Sequence, residues 1–222
     1  MKELQTRTLF GDADASLAYG YLLDFRYPWE ALDGIGEMIR ALGATLSESE
    51  YEEQSEGIWV ARSARVAKSA LLCAPCIICA EAEVRQGAFF RGAALVGRGA
   101  VVGNSTELKN CILFDGAAVP HFNYVGDSIL GYRAHMGAGA ITSNVKSDKT
   151  LITVRVGDER IPTGRRKFGA MVGDLAEVGC NSVLNPGTVI GRMSRVYPLS
   201  SVRGALPAHH IWKGDGRVVP IQ

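Results

Sequence analysis

Counted from Val60, every sixth residue is large and apolar: Val60, Val66, Leu72, Ile78, Val84, Phe90, Val96, Val102 and Leu108. Four places after each of the first eight stands a small one: Ala64, Ala70, Cys76, Ala82, Ala88, Ala94, Ala100 and Thr106. The beat returns at Val172, Val178, Leu184, Ile190, Val196 and Val202, with Ala176, Ser182, Thr188, Ser194 and Ser200 as small partners. An amphipathic helix repeats at about 3.6 residues, so a six-residue period keeps no single helical face. The pattern predicts a solenoid. Each hexapeptide is a short strand plus a corner, the large residue pointing inward and the small one filling the crowded turn. Three hexapeptides make a triangular coil of about eighteen residues, and coils stack at ~4.8 Å. The fold class is therefore all-β, a parallel β-helix over residues 58–204.

Outside those runs the pattern changes. Residues 1–57 lack the beat. Trp29, Leu32, Ile35, Met38, Ile39 and Leu42 fit helical spacing, with Pro28 in the first turn and Gly43 as a stop. These features predict a small α-helical cap over the open first coil, since solenoid ends need covering. Residues 109–144 keep a looser repeat through Val119, Val125, Leu130 and Met136, with slips of five. Residues 145–168 are polar, charged and rich in turn formers, which predicts an excursion from the coil, with a hairpin at Leu151–Val156. Residues 205–222 read as a C-terminal arm.

Composition narrows the field of functions. The 24 basic side chains nearly balance 23 acidic ones, so no global field draws the chain to nucleic acid or to a membrane surface. No stretch reads as a bilayer span or as a signal peptide, and a cytoplasmic protein is expected. Cys73, Cys76 and Cys79 form a CxxCxxC run, but six-residue spacing puts Cys73 and Cys79 on different faces and Cys76 at an inward position. Such thiols do not converge on one ion, and no metal is expected. The glycines of GRGAVVG and GAGAITS serve corners rather than a phosphate-cradling loop. The 57 residues before the repeat hold no glycine-rich nucleotide loop either, so no chemistry that makes or cleaves a nucleotide diphosphate sugar is expected.

Candidate chemistry follows from the coil. Arg91 and Lys109 each come after an inward residue and are eighteen apart, hence outward on one face, one coil apart. Stacked cations repel unless an anion lies between them, which suggests a phosphate or sulfate site; two splayed, solvated side chains are the alternative. The segment VPHFNYVGDSILGYRAHMGAGAITSN, residues 119–144, concentrates His121, Asn123, Tyr124, Asp127, His135 and Asn144 where the beat loosens. A histidine suits the role of base for an amine near neutral pH, although a lone histidine also serves structure.

The stretch from GNSTELKN through VPHFNYVGDSILG to GAGAITSNVKSDKT resembles the acetyltransferase domain of the bifunctional enzyme that makes UDP-N-acetylglucosamine. It resembles stand-alone proteins described as UDP-N-acetylglucosamine pyrophosphorylase-related as well. The likeness covers roughly residues 58–205, and 104–144 is its specific part. It implies a left-handed solenoid, a homotrimer with shared sites, and acetyl transfer from acetyl-CoA to an amino sugar phosphate such as glucosamine 1-phosphate. By this resemblance His121 is the general base and Tyr124 contacts the acceptor sugar. Arg91 and Lys109 hold its phosphate, and Asn144 lies near the sugar and acyl chain. Lys149 or Lys146 adds a phosphate contact. His135 stands where that domain carries a second sugar-contacting asparagine. Arg165, Arg166, Lys167, Lys213 and Arg217 are the candidates for the 3′-phosphate of CoA. The competing readings are a non-catalytic or regulatory solenoid and an acyltransferase for another acceptor.

Overall fold

The computed structural model describes residues 1–11 and 15–222. Its core is the expected parallel β-helix. Short strands recur on three faces in fixed order, shown by Ile58–Ala61 on the first face, Arg65–Val66 on the second and Leu71–Leu72 on the third. Each pairs in parallel with the strand one coil on: Ile58 with Cys76, Arg65 with Glu83, Leu71 with Phe89. The large residues of the beat fill one continuous interior together with their small partners, and Ile78, Phe90, Val96, Leu108, Ala88, Ala94 and Ala100 are all buried there. Burying each Val, Leu or Phe contributes about 1.5–3 kcal/mol, which makes this inner column the main source of stability.

Two coils in the middle of the solenoid are shorter than those before them. Cys111 pairs with Ala94 and Ser128 pairs with Cys111, a step of seventeen residues each time rather than the eighteen of Ile58 to Cys76. The missing residue is taken from the corner between the third and first faces. There the strands Glu107–Leu113 and Tyr124–Leu130 run unbroken around the bend. Asn110 and Asp127 make that bend at φ 49° and 48°, in the left-handed region that Asn and Asp tolerate better than most residues. This compression accounts for the slips of five in the sequence.

The N-terminal segment departs from expectation. It carries a 3-10 turn, Pro28–Gly34, which takes up Trp29 and Leu32, and a helix, Ile35–Gly43. It does not close the first coil. Instead Phe10, Trp29, Leu32, Ile35 and Ile39 pack along the outer side of the first face, against Ile77, Leu95, Ile112, Ile129 and Met171. The physical reason is that first-face strands are apolar on both sides, and a sheet buried on both sides needs a covering layer. At the open end an antiparallel strand, Tyr51–Ser55, pairs with Ile58–Ala61 and protects that edge.

The excursion is present. Its hairpin pairs Thr153–Val156 with Glu159–Pro162, so the expected span Leu151–Val156 holds little more than its first strand, and the coil resumes at Ala170–Val172. Ile152 and Val154 join the layer over the first face. The C-terminal arm is a second correction. Ala205–Leu206 and His210–Trp212 continue the coil by pairing with Val189–Ile190 and Arg195–Val196. The step has dropped to sixteen, as from Ile190 to Leu206, so the six-residue count loses the coil although the ladder continues. Only Val218–Pro220 turns back, antiparallel to His210–Trp212. Among the described residues no helix is long and apolar enough to cross a membrane.

Candidate active site

With the first face covered, the second and third faces and their shared corner carry the polar groups singled out in the sequence. His121 ends the second-face strand Ala118–His121 and is exposed. The corner after it is fixed by buried Asn123. Its Oδ1 accepts from the His121 backbone N–H at 3.0 Å, and its Nδ2 donates to the carbonyls of Gly137 and Ala140 at 2.8 and 2.9 Å. The ring is held by a residue sequence reasoning missed. Asn104 lies in register one coil below, and its Oδ1 accepts from His121 Nδ1 at 3.3 Å. With the proton on Nδ1, the lone pair of Nε2 is left for a substrate. The seventeen-residue step from Asn104 to His121 is the signal that would have found it.

Tyr124 opens the third face, three residues on. A Cβ on Gly126 would strike the Tyr124 hydroxyl, so glycine at 126 lets the phenol lie back over its own strand toward Asp127. Burial, and then the Asp127 charge, push this phenol above its ordinary range, so it stays neutral and able to donate. Asn144 Nδ2 donates to the Tyr124 oxygen at 3.3 Å and closely to the Asp127 carboxylate. Asp127, 4% exposed, also accepts from Asn110 Nδ2 at 2.9 Å and pairs with Lys109 Nζ at 3.2 Å. It is the hub of the cluster, and the sequence reading gave it no role. The compressed corner places it there.

Arg91 and Lys109 stand where the spacing puts them, on one face and one coil apart: the Arg91 N–H donates to the Leu108 carbonyl at 2.8 Å. Each already has an anionic partner within the protein. Arg91 pairs with Glu107 at 3.0 Å, and Lys109 pairs with Asp127. In the single chain Lys109, Asn110 and Asn144 therefore meet on Asp127, Tyr124 joins them through Asn144, Arg91 stands one level below and His121 at the neighbouring corner. His135 does not join them. It is exposed on the second face, in register with Ala118 below and Glu177 above. Lys149 lies in the exposed start of the excursion, and its side chain makes no hydrogen bond or ion pair among the described residues; neighbouring Lys146 pairs with Asp148 at 3.3 Å. Of the other basic candidates, Arg217 pairs with Asp215 at 2.6 Å. The cysteine run is split by the coil wall, with Cys76 in the inner core and Cys79 in the outer layer. No group of three or more His, Cys, Asp or Glu among the described residues is placed to hold a metal ion.

The arrangement offers a base with a free ring nitrogen, a neutral phenol and a ring of amide and cationic donors, which suits binding a polar acceptor and removing a proton from it. Known proteins resemble the chain over part of its length. A bifunctional sugar-1-phosphate nucleotidylyltransferase/acetyltransferase from Sulfurisphaera tokodaii is 38% identical over 94 residues, 42% of this chain and 23% of that protein. The bifunctional protein GlmU of Methanococcus aeolicus is 37% identical over 91 residues, 41% of this chain and 22% of its own. The match thus spans under a quarter of each relative's length. No family model matches the chain. Among solved structures, the acetyltransferase domain of PglB from Neisseria gonorrhoeae in complex with acetyl coenzyme A aligns with TM-score 0.35 and 16% identity, over 74% of this chain and 57% of that one. A hexapeptide transferase family protein from Anaplasma phagocytophilum aligns with TM-score 0.38 and 15% identity, over 72% and 79%. Likeness at that level carries nothing about activity. The chain is thus a hexapeptide-repeat solenoid, and over part of its length it resembles bifunctional sugar-1-phosphate nucleotidylyltransferase/acetyltransferase proteins.

Proposed function

We propose that the chain transfers an acetyl group from acetyl-CoA to the amine of an amino sugar phosphate. The observation that carries this reading is the ring of His121, tied at Nδ1 to Asn104 and open at Nε2, beside the Tyr124, Asn144 and Lys109 cluster on Asp127. The acceptor arrives as an ammonium ion, which has no lone pair. Nε2 of His121 takes one proton from it, the freed amine attacks the thioester carbonyl, and as the C–S bond breaks the nitrogen gives up its second proton to the departing sulfur, which releases CoA as its thiol and leaves the neutral amide. Tyr124 and Asn144 orient the sugar, and Lys109 and Arg91 face its phosphate. To bind a phosphate they must share or release their carboxylate partners.

The site is shared, in this reading, by neighbouring copies of a homotrimer. Phe122 and Leu199, 61% and 77% exposed, lie at the corner that carries His121, where a second copy would cover them. Thiol release from acetyl-CoA, assayed against a panel of amino sugar phosphates and their N-acetylated or hydroxyl counterparts, tests the activity. Transfer that depends on the free amine is the expected result. Absence of transfer to every amine would overturn it.

A further inference from the structure

The buried carboxylate of Asp127 is held by three described side chains, Lys109, Asn110 and Asn144. In the proposed function two of them, Lys109 and Asn144, turn to the acceptor. We propose that the third, Asn110, is a positioning residue of the acceptor site. It stays on Asp127, keeps the carboxylate satisfied while the other two exchange partners, and is itself held from behind by the N-terminal segment. The inference rests on the reading of Lys109 and Asn144 as acceptor-binding groups.

The Asn110 amide donates in two directions, to Asp127 Oδ1 at 2.9 Å and to the Leu32 carbonyl at 3.1 Å. Leu32 is fully buried in the turn Pro28–Gly34. That turn is fixed from two sides. Trp29 stacks on Phe168 with ring centroids 5.6 Å apart, and the Tyr21 hydroxyl donates to the Ala31 carbonyl at 2.7 Å. Asn110 therefore cannot leave Asp127 by a simple rotation without giving up the Leu32 carbonyl as well. Lys109 has no such second tie among the described residues. Its ammonium ends a flexible four-carbon stem, and its side chain is 23% exposed.

The residue type at 110 fits this role. Asn110 makes the compressed corner at φ 49°, and a turn of that kind is served by Gly, Asn or Asp. The groups that face the side chain, however, are both acceptors. Asp would set a second carboxylate against them, and Gly would donate nothing. Only the amide serves the turn and both acceptors. The backbone of the corner is secured independently: the Asn110 N–H donates to the Gly92 carbonyl at 3.1 Å, and the Cys111 N–H to the Ala93 carbonyl at 2.9 Å. The side chain is left for Asp127 and Leu32.

Burial makes the retained donor matter. Asp127 is 4% exposed, and a buried carboxylate stripped of its donors incurs the desolvation cost of its charge. Were Lys109 and Asn144 to move to the acceptor with nothing left behind, that cost would be subtracted from acceptor binding. Asn110 lowers it, so the acceptor can recruit both groups.

Steady-state kinetics of the full chain test the assignment, with the amino sugar phosphate that the transfer assay selects. Asn110→Gly and Asn110→Asp both keep a residue that tolerates the corner. Asn110→Gly should raise the acceptor KM by about tenfold, and Asn110→Asp by more, while kcat and the KM of acetyl-CoA change by less than about threefold. A residue that serves only the turn would lower the melting temperature and leave the acceptor KM at its wild-type value, and that result would overturn the proposal. A stability cycle decides the point without activity, because Lys109→Ala mimics departure of the lysine. Its drop in urea midpoint should be about twice as large or more in the Asn110→Gly background as in wild type, since Asp127 then keeps only Asn144. Equal drops in the two backgrounds would overturn the proposal as well. If no acceptor supports transfer, the proposed function fails, and the cycle still decides whether Asn110 sustains Asp127 once Lys109 is gone.

Discussion

Two buried aspartates sit at two corners of the solenoid and do different things. Asp174, 1% exposed, is tied to the framework: it accepts from the backbone N–H of Gly11 at 2.8 Å and of Tyr132 at 2.9 Å, and it lies 3.4 Å from Arg192. It thus staples the N-terminal segment to the coil. Asp127, 4% exposed, takes only side chains: Lys109, Asn110 and Asn144. Backbone donors cannot leave without unfolding a strand or a turn. Side chains can exchange one acceptor for another. The same carboxylate chemistry therefore serves cohesion at one corner and, in the proposed function, adaptable binding at the other, and the covered first face and open third face follow that division.

Substitutions can separate the two roles. The largest stability effect is expected at the staple: Asp174→Ala should cost about 3–5 kcal/mol by leaving Arg192 and the amides without their carboxylate, read as a lower urea midpoint. Kinetic constants of the folded protein should stay at wild-type values. Asp127→Asn keeps a residue suited to positive φ and should cost only about 1–2 kcal/mol, while shifting the acceptor KM about tenfold as Lys109 and Asn144 lose their anchor. Equal stability losses at the two positions would break the comparison. Lys109→Ala should raise the acceptor KM by about tenfold or more while the fold survives. Gly126→Ala should act through the displaced Tyr124 phenol, lowering kcat/KM by roughly tenfold with a change in melting temperature of a few degrees at most.

A further effect concerns alkaline pH. Burial pushes the thiols of Cys76, Cys79 and Cys111 up to about 12, from an ordinary value of 9.0. A folded-state pKa raised above the unfolded one contributes stability that is complete below the unfolded value and lost as pH rises toward the folded one. Stability should therefore be flat up to about pH 9 and fall between about 9 and 12, and Cys111→Ala should flatten that fall.

Much of this was legible in the sequence. The six-residue beat specifies the coil because each large residue must point inward, and the loosened beat of 109–144 marks the compressed corners that carry Asn110 and Asp127. The covering of the first face was also written, one residue before the inward one in every third hexapeptide: Trp59, Ile77, Leu95, Ile112, Ile129, Met171 and Val189. Reading only the inward column hides this second, eighteen-residue pattern, so the N-terminal segment was expected over the end of the solenoid. The internal pairing of Arg91 with Glu107 and Lys109 with Asp127 was not legible, because it depends on which way long side chains lean, and spacing does not fix that. Asn104 escaped for a different reason: a seventeen-residue step brings it under His121, and an eighteen-residue count looks one place away.

The central claim is that His121 is the general base of an acetyl transfer. Measuring kcat and melting temperature of His121→Ala on one preparation tests it most directly. General-base catalysis contributes about 10²–10⁴-fold, so kcat should fall by that factor while the melting temperature, set by the inner column and the Asp174 staple, stays unchanged. A folded His121→Ala protein with wild-type turnover would contradict the account.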